Sequence, residues 1–217
     1  MTIPVPTLED ICRTFDDRTA LRTLVPGHRS AMIALVFHMA DGDLKVCITR
    51  RASVVGDPWS GDLAFPGGKP ETEDMTLHDT AARETFEETG LSLSHDMLIG
   101  DLGEVTARGG ARPLITYPLV YVLTEKPRPF VLNYEMTDAQ WVSVAALWDA
   151  GNWRRFTYTP EREDFQAIRT MGHFLWGFSL RVLHDFSVRI GHPLTPLLEN
   201  PSLPKMDGAP IIETRIG

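Results

Sequence analysis

The sequence predicts an α/β fold in which a mixed β-sheet is covered by helices. Three observations carry that prediction. A strand-rich first half is interrupted by a Gly- and Pro-free segment of helical composition at 76–88. Apolar, strand-like runs follow at 98–105 and 114–123. The chain then closes on a helical apolar repeat over 173–190. Strands mixed with isolated helices in this way bury their apolar faces as a sheet beneath helical layers.

The elements follow in order. Thr7 and Asp10 form a capping-box pattern, and Leu8, Ile11, Phe15 and Leu21 suit an amphipathic helix over 7–24, ended by Pro26-Gly27. Residues 31–39 read as a strand, Asp41-Gly42-Asp43 as a hairpin turn and 44–49 as the partner strand. A Gly-, Asp- and Pro-rich loop spans 55–61. A short strand at 63–65 is broken by Pro66-Gly67-Gly68, and Gly90 is the stop signal of the 76–88 helix. After a proline connector at 127–129, short strands are expected at 130–132 and 140–144. Leu175, Phe178, Val182, Phe186 and Ile190 recur at helical spacing, which marks core packing in the closing helix. The proline-containing tail from His192 is expected to lie over the surface. With no internal repeat and no dividing linker, residues 1–217 form a single domain, elaborated by the helices 7–24 and 173–190.

Composition narrows the function. A hydrophobic fraction of 43% and a charged fraction of 23% are those of an ordinary globular chain. The formal net charge of -8 argues against non-specific affinity for nucleic acid or an anionic membrane, which comes from basic clusters. A phosphorylated small molecule stays open, because bound divalent cations invert the field of an acidic site. Cys12 and Cys47 make no CxxC, residues 1–7 lack a basic-then-apolar leader pattern, and the longest apolar stretch, 31–37, is too short for a bilayer. The expected compartment is a reducing cytoplasm. Oligomeric state is left open, a homodimer included.

The segment that carries chemistry is GGKPETEDMTLHDTAARETFEETGL, Gly67 to Leu91. Glu84, Glu87 and Glu88 are spaced i, i+3, i+4, which places three carboxylates on one helical face. Arg83 stands four residues before Glu87 at the edge of that face. Three like charges on one stripe repel, and a divalent cation would remove the penalty. Hard oxygen ligands suit Mg²⁺ or Mn²⁺. Gly67-Gly68 permits a sharp turn, and a carbonyl at Gly68 is a further oxygen donor. Asp74, near the helix start, suits a cap. An isolated Glu-x-x-Glu-Glu face is usually solvated surface. The double Gly, the acidic residue six later and the Arg-Glu-x-x-Glu-Glu-x-Gly-Leu run together set this one apart.

At these residues the sequence resembles the Nudix hydrolase family, whose signature is G-x5-E-x7-R-E-U-x-E-E-x-G-U with U aliphatic. Gly68, Arg83, Glu84, Glu87, Glu88, Gly90 and Leu91 match. Asp74 replaces the first Glu, eight residues rather than seven separate it from Arg83, and Thr85 takes an aliphatic position. The layout Phe65-Pro66-Gly67-Gly68, Glu71, Asp74 and Thr80-Ala81-Ala82-Arg83-Glu84 is similar to the coenzyme A pyrophosphatase branch. So is Cys47-Ile48-Thr49-Arg50-Arg51-Ala52 upstream. Where that branch has a second basic residue, Val55-Gly56 stand here, and the loop to Phe65 is one residue longer. The Pro or Tyr found roughly 15 to 18 residues after the box in other substrate classes is replaced by Val105, Thr106, Ala107 and Arg108.

The resemblance implies an α/β/α sandwich, a nucleotide-like small-molecule substrate and attack by water on one phosphorus of a diphosphate. It implies Glu84, Glu87 and Glu88, with Gly68, as metal ligands, and Arg83 as their orienter. Its general base is a box Glu or a carboxylate from a distant loop, with Glu104, Glu125 and Glu135 as candidates. Arg50 and Arg51 are candidate phosphate contacts because Arg is a forked donor. Arg108 and Arg112, flanking Gly109-Gly110, are further ones. Trp59 is a candidate pocket wall. The seven histidines show no metal spacing, and His78 is expected on the surface. Coenzyme A or an acyl-coenzyme A is the expected substrate. ADP-ribose or a nucleotide sugar, and a non-catalytic nucleotide-binding module on the same fold, are the alternatives.

Overall fold

A computed structural model describes residues 3–15, 23, 29–57, 59–107, 114–157 and 165–206. Thr7 and Asp10 close the expected capping box at the start of α1 (Leu8–Thr14), each accepting the other's backbone N–H at 3.2 and 2.9 Å. The helix stops at the Phe15 cap rather than running to residue 24. Leu21 lies outside the described residues.

Asp41 and Gly42 take φ of 53° and 78°, the tight-turn geometry that matches strand twist. They join β1 (Ser30–Ala40) to β2 (Asp43–Arg51). The hairpin is paired only from Phe37↔Val46 to its turn. Beyond that point the strands part, and the wedge between them is filled by the next segment. There β3 (Leu63–Ala64) pairs with β2, and β4 (Gly67–Gly68) pairs with β1 at Met32 and Ile33. The Gly67-Gly68 expected as part of a break therefore forms a strand of its own, anchored by the Ala34 amide on the Pro66 carbonyl at 2.8 Å. Gly67 sits at φ +146°, and a Cβ there would collide with the Met32 carbonyl oxygen and Ile33 Cα. Backbone cannot yield as a side chain does, so Gly67→Ala is expected to cost about 3 kcal/mol or more of folding free energy by denaturant titration.

Helix α2 (Leu77–Thr89) follows, within a residue of the prediction, and ends on Gly90 at φ 73°. Its cap is Thr76 with Asp79, not Asp74. The run expected at 98–105 divides into β5 (Leu98–Asp101) and β6 (Val105–Ala107), parted by Gly103 at φ 79°. Strand β7 (Leu114–Leu123) matches the prediction and runs parallel to β1, while β5 and β6 pair with it antiparallel. No strand forms at 130–132, because the Val131 amide is taken by the carbonyl of Thr89 at the end of α2, at 2.9 Å. Strand β8 (Met136–Ser143) starts earlier than expected and covers the outer edge of β2. The sheet is thus mixed, as predicted.

A second, three-stranded sheet was not anticipated. After α3 (Val144–Trp148), it comprises β9 (Trp153–Phe156), β10 (Phe165–Thr170) and β11 (His173–Trp176), with a Met171-Gly172 turn at φ 53° and 73°. The predicted helix 173–190 is corrected accordingly: residues 173–176 are strand, and α4 is Gly177–Arg189. Leu175 reaches the core from β11, so its helical spacing from Phe178 was coincidental. The tail is corrected over 192–206, and its remainder, 207–217, lies outside the described residues. It forms α5 (Thr195–Leu198), buries Leu194, Leu197 and Leu203, and accepts the Trp148 indole N–H on the His192 carbonyl at 3.1 Å.

Strand alternation builds two cores. Met32, Ala34, Val36, Cys47, Leu119 and Tyr121 face α2, packing on Leu77 and Ala81. Leu35, Phe37, Val46, Ile48, Val120 and Val122 face α1, α3 and α4, where Phe186 stacks on Phe37 at 5.0 Å. Helices on both faces make the α/β/α sandwich. Among the described residues no helix is long and apolar enough to cross a membrane.

Candidate active site

Helix α2 lies over β1 and β4 with Leu77, Ala81, Thr85 and Glu88 on its buried face. Glu88 is 2% exposed, and its Oε2 accepts the Gly67 amide at 2.9 Å. The Glu84 carboxyl lies where a Cβ on Gly68 would fall, so the glycine leaves room for an acid against the strand. The side chain of Glu87, 48% exposed, sits at the outer edge. The i, i+3, i+4 register holds, but the three acids grade from buried to solvent.

Arg83 holds the outer side. Its guanidinium lies 3.2 Å from Glu84 and 3.3 Å from Glu87, and it donates to the Lys69 carbonyl at 2.8 Å. Its forked pair is Asp74, at 3.2 and 2.9 Å. Asp74 also accepts the Glu71 amide and the Thr80 hydroxyl, each at 2.9 Å. Burial alone would raise this carboxyl's pKa, yet the hydrogen bonds from Arg83, the Glu71 amide and Thr80 outweigh it and hold it below the usual range. The residue read as a cap is the anchor of the arginine clamp.

The inner side is short of positive charge. Burial, with Glu84 and Glu135 nearby, pushes Glu88 up to about 8, against the opposing pull of the Gly67 amide and Arg51. Burial likewise raises Glu84, opposed by Arg83 and reinforced by Glu87 and Glu135. Among the described residues no three His, Cys, Asp or Glu side chains are placed to hold a metal ion as they stand. Glu84 and Glu87 are engaged by Arg83, and Glu88 by the Gly67 amide. The donor chemistry fits a hard divalent cation all the same: crowded carboxylates beside a glycine strand, two of them with pKa raised chiefly by burial.

The other predicted residues divide. Arg51 reaches the site: it lies close enough to lower the Glu88 pKa and lines a cavity of ≈ 260 Å³ with Ala52, Val54, Asp57, Tyr134 and Glu135. Arg50 instead directs its Nε to the Gly61 carbonyl at 3.5 Å. Arg108 and Arg112 lie outside the described residues. Glu135 faces Glu84 and Glu88 electrostatically, whereas Glu104 is exposed and accepts the Tyr117 hydroxyl at 2.9 Å, and Glu125 is exposed. Trp59 is 53% exposed. His78 is corrected: it is 4% exposed, bonded to the Tyr121 hydroxyl at 3.0 Å, and its ring lies tilted against that of His95 with centroids 3.9 Å apart. Sequence reading missed Asp57 and Tyr134, which belong to loops without periodicity.

Known proteins bear on this geometry. The NUDIX domain profile matches residues 27–161. The chain is 38% identical over 74 residues to Peroxisomal coenzyme A diphosphatase 1 of Saccharomyces cerevisiae, covering 34% of this chain and 22% of that one. It is 30% identical over 150 residues to Peroxisomal coenzyme A diphosphatase ndx-8 of Caenorhabditis elegans, covering 67% and 61% respectively. It therefore spans less than two thirds of either relative's length. In fold it is similar to a MutT/nudix family protein from Enterococcus faecalis (TM-score 0.54, 14% identity, 88% of this chain and 77% of that one). It is also similar to the NUDIX domain of Shewanella oneidensis NrtR complexed with ADP ribose (TM-score 0.52, 16% identity, 85% and 99%). A profile match over more than half the chain, spanning the glycine strand and the carboxylate helix, places this protein in the Nudix family.

Proposed function

We propose that the protein is a divalent-cation-dependent pyrophosphohydrolase acting on coenzyme A or an acyl-coenzyme A, releasing 3′,5′-ADP and the (acyl-)4′-phosphopantetheine. The observation that carries the reading is the pair Glu84 and Glu88, the first half-buried against Gly68 and the second buried against Gly67, both at raised pKa. A binding module freed from catalysis has no use for so costly an arrangement. For the substrate, support comes from the Cys47–Ala52 and Phe65–Gly68 motifs and from the two relatives named coenzyme A diphosphatases.

In this reading Glu84, Glu87 and Glu88, with the Gly68 carbonyl, would hold Mg²⁺ or Mn²⁺. When bound, the ion neutralises anhydride oxygens and lowers the pKa of a water. Arg83 orients Glu84 and Glu87. Glu135 is the loop carboxylate that would take the proton of the attacking water, since its charge is felt at both Glu84 and Glu88. Arg51 meets a substrate phosphate from the cavity wall.

The test is a panel of coenzyme A, acyl-coenzyme A, ADP-ribose and nucleotide sugars, ranked by kcat/KM with Mg²⁺ or Mn²⁺. Coenzyme A compounds are expected first. ADP-ribose or a nucleotide sugar in first place would replace the substrate assignment, and no release from any of them would leave a binding module. Gly68→Ala sharpens the test. A Cβ there displaces only the mobile end of Glu84, so the variant should fold yet lose on the order of 100-fold in kcat. By cysteine usage the cytoplasm is the proposed compartment, and fractionation decides between it and the peroxisome in the relatives' names.

A further inference from the structure

The cavity beside the carboxylates is walled by two loops, with Arg51, Ala52, Val54 and Asp57 from one and Tyr134 and Glu135 from the other. Its arginine already has a counter-ion. Arg51 Nη2 lies 3.0 Å from Asp57 Oδ2, and the two side chains are 31% and 18% exposed. The carboxylate is aimed there by its own turn. Asp57 Oδ1 accepts the Trp59 amide at 3.0 Å, and the Asp57 amide donates to the Val54 carbonyl at 3.2 Å. The Ser60 amide returns to the Asp57 carbonyl at 3.2 Å, and the Ser60 hydroxyl accepts the Val54 amide at 2.6 Å. The arginine is not fully used: its Nε is buried and has no hydrogen-bond partner among the described residues. A buried donor left unpaired is costly, and a second oxyanion oxygen would satisfy it.

We propose that this cavity is a subsite for a terminal phosphate monoester of the substrate, and that Asp57 is a positioning residue that holds Arg51 toward the cavity until the phosphate takes its place. The inference rests on the pyrophosphohydrolase reading. Without Asp57, Arg51 has other acids to turn to, since its charge is already felt at Glu88 and Glu135 shares its cavity. Collapse onto them would close the cavity and neutralise the carboxylates. With Asp57, binding becomes an exchange of one oxyanion for another. A phosphate monoester carries nearly two charges and three acceptor oxygens, so it can displace a single carboxylate and also reach Nε. A ribose hydroxyl cannot. The exchange therefore selects phosphorylated over unphosphorylated ligands.

Adenosine 3′,5′-bisphosphate and AMP differ by one phosphate and contain no anhydride, so both can be titrated intact in a calorimeter with Mg²⁺. The wild type is expected to bind the bisphosphate more tightly. Asp57→Asn keeps the acceptor for the Trp59 amide but not the charge. It should weaken the bisphosphate roughly three- to tenfold, because Arg51 is then free to turn to Glu88 and Glu135, and leave AMP unchanged. Arg51→Ala should bring the bisphosphate down to the affinity of AMP. Four results would overturn the proposal: no bisphosphate preference in the wild type, an Asn variant that binds the bisphosphate more tightly, an Asn variant that moves both ligands alike or neither, or a preference that survives Arg51→Ala. The parent reading fails separately. If coenzyme A is not hydrolysed while the calorimetric pattern appears, the subsite stands and the substrate assignment falls.

Discussion

Glu88→Gln is expected to lower kcat by roughly 10³-fold while the protein stays folded, because the substitution removes a charge but keeps the acceptor for the Gly67 amide. Stability then separates lost chemistry from lost structure. In the metal-free protein the folded-state pKa of Glu88 is raised from 4.5 to about 8. Folded Glu88 therefore binds its proton more tightly than unfolded Glu88. Its contribution to stability is complete below about pH 4.5 and is lost as pH rises through 8. The neutral amide introduced by Glu88→Gln mimics the protonated form and escapes that loss. At pH 8.5 in EDTA the variant should be more stable than the wild type by on the order of 2–4 kcal/mol, each pKa unit being worth about 1.4 kcal/mol. Near pH 4.5 the two should coincide. Glu87→Gln should also lose most turnover, but its exposed side chain gives no reason for a stability change. Near-normal turnover of both variants at saturating Mg²⁺ would refute the ligand assignment, and an acid-independent stability difference would refute the electrostatic account of Glu88.

What could be read in the sequence was what local physics determines. The Asp41-Gly42 turn, the Gly90 stop and the 114–123 run each rest on a nearby backbone requirement or on an uninterrupted apolar pattern. The carboxylate register was legible because 3.6-residue periodicity fixes it once the helix is granted. Long-range pairing was not. Gly67–Gly68 becomes a strand only because β1 and β2 part above Phe37, and no residue in the segment announces it. Leu175 satisfied a helical spacing while belonging to β11, since the Met171-Gly172 turn was not recognised as a hairpin. Thr76 and Asp79 did carry a capping-box signal, and overlooking it turned Asp74 into a cap instead of the partner of Arg83. Asp57 and Tyr134 join the site through tertiary loop placement alone.

That clamp sets up the second large effect. Arg83→Ala is expected to cost about 3 kcal/mol of stability at pH 7, because it leaves the Asp74 carboxylate, 5% exposed, charged and without its forked partner. The same change frees Glu84 and Glu87, so kcat should fall by roughly 100-fold. The pH dependence distinguishes a charged strut from a packing loss. In the wild type the Asp74 pKa lies below its ordinary 3.8, so this carboxyl stabilises the fold above that value and ceases to as pH drops through its folded pKa. In the alanine variant burial is opposed only by the Glu71 amide and Thr80, so the same pKa rises from its wild-type position and acid relieves the buried charge sooner. The stability gap should therefore narrow below about pH 4. Arg83→Lys should recover part of the stability and less of the rate, since an ammonium on one stem cannot span Asp74, Glu84 and Glu87 as a planar fork does. A gap that stays constant from pH 7 to pH 3 would mean that Arg83 supports the helix by its methylenes, and that Asp74 owes its low pKa to Thr80 and the Glu71 amide alone.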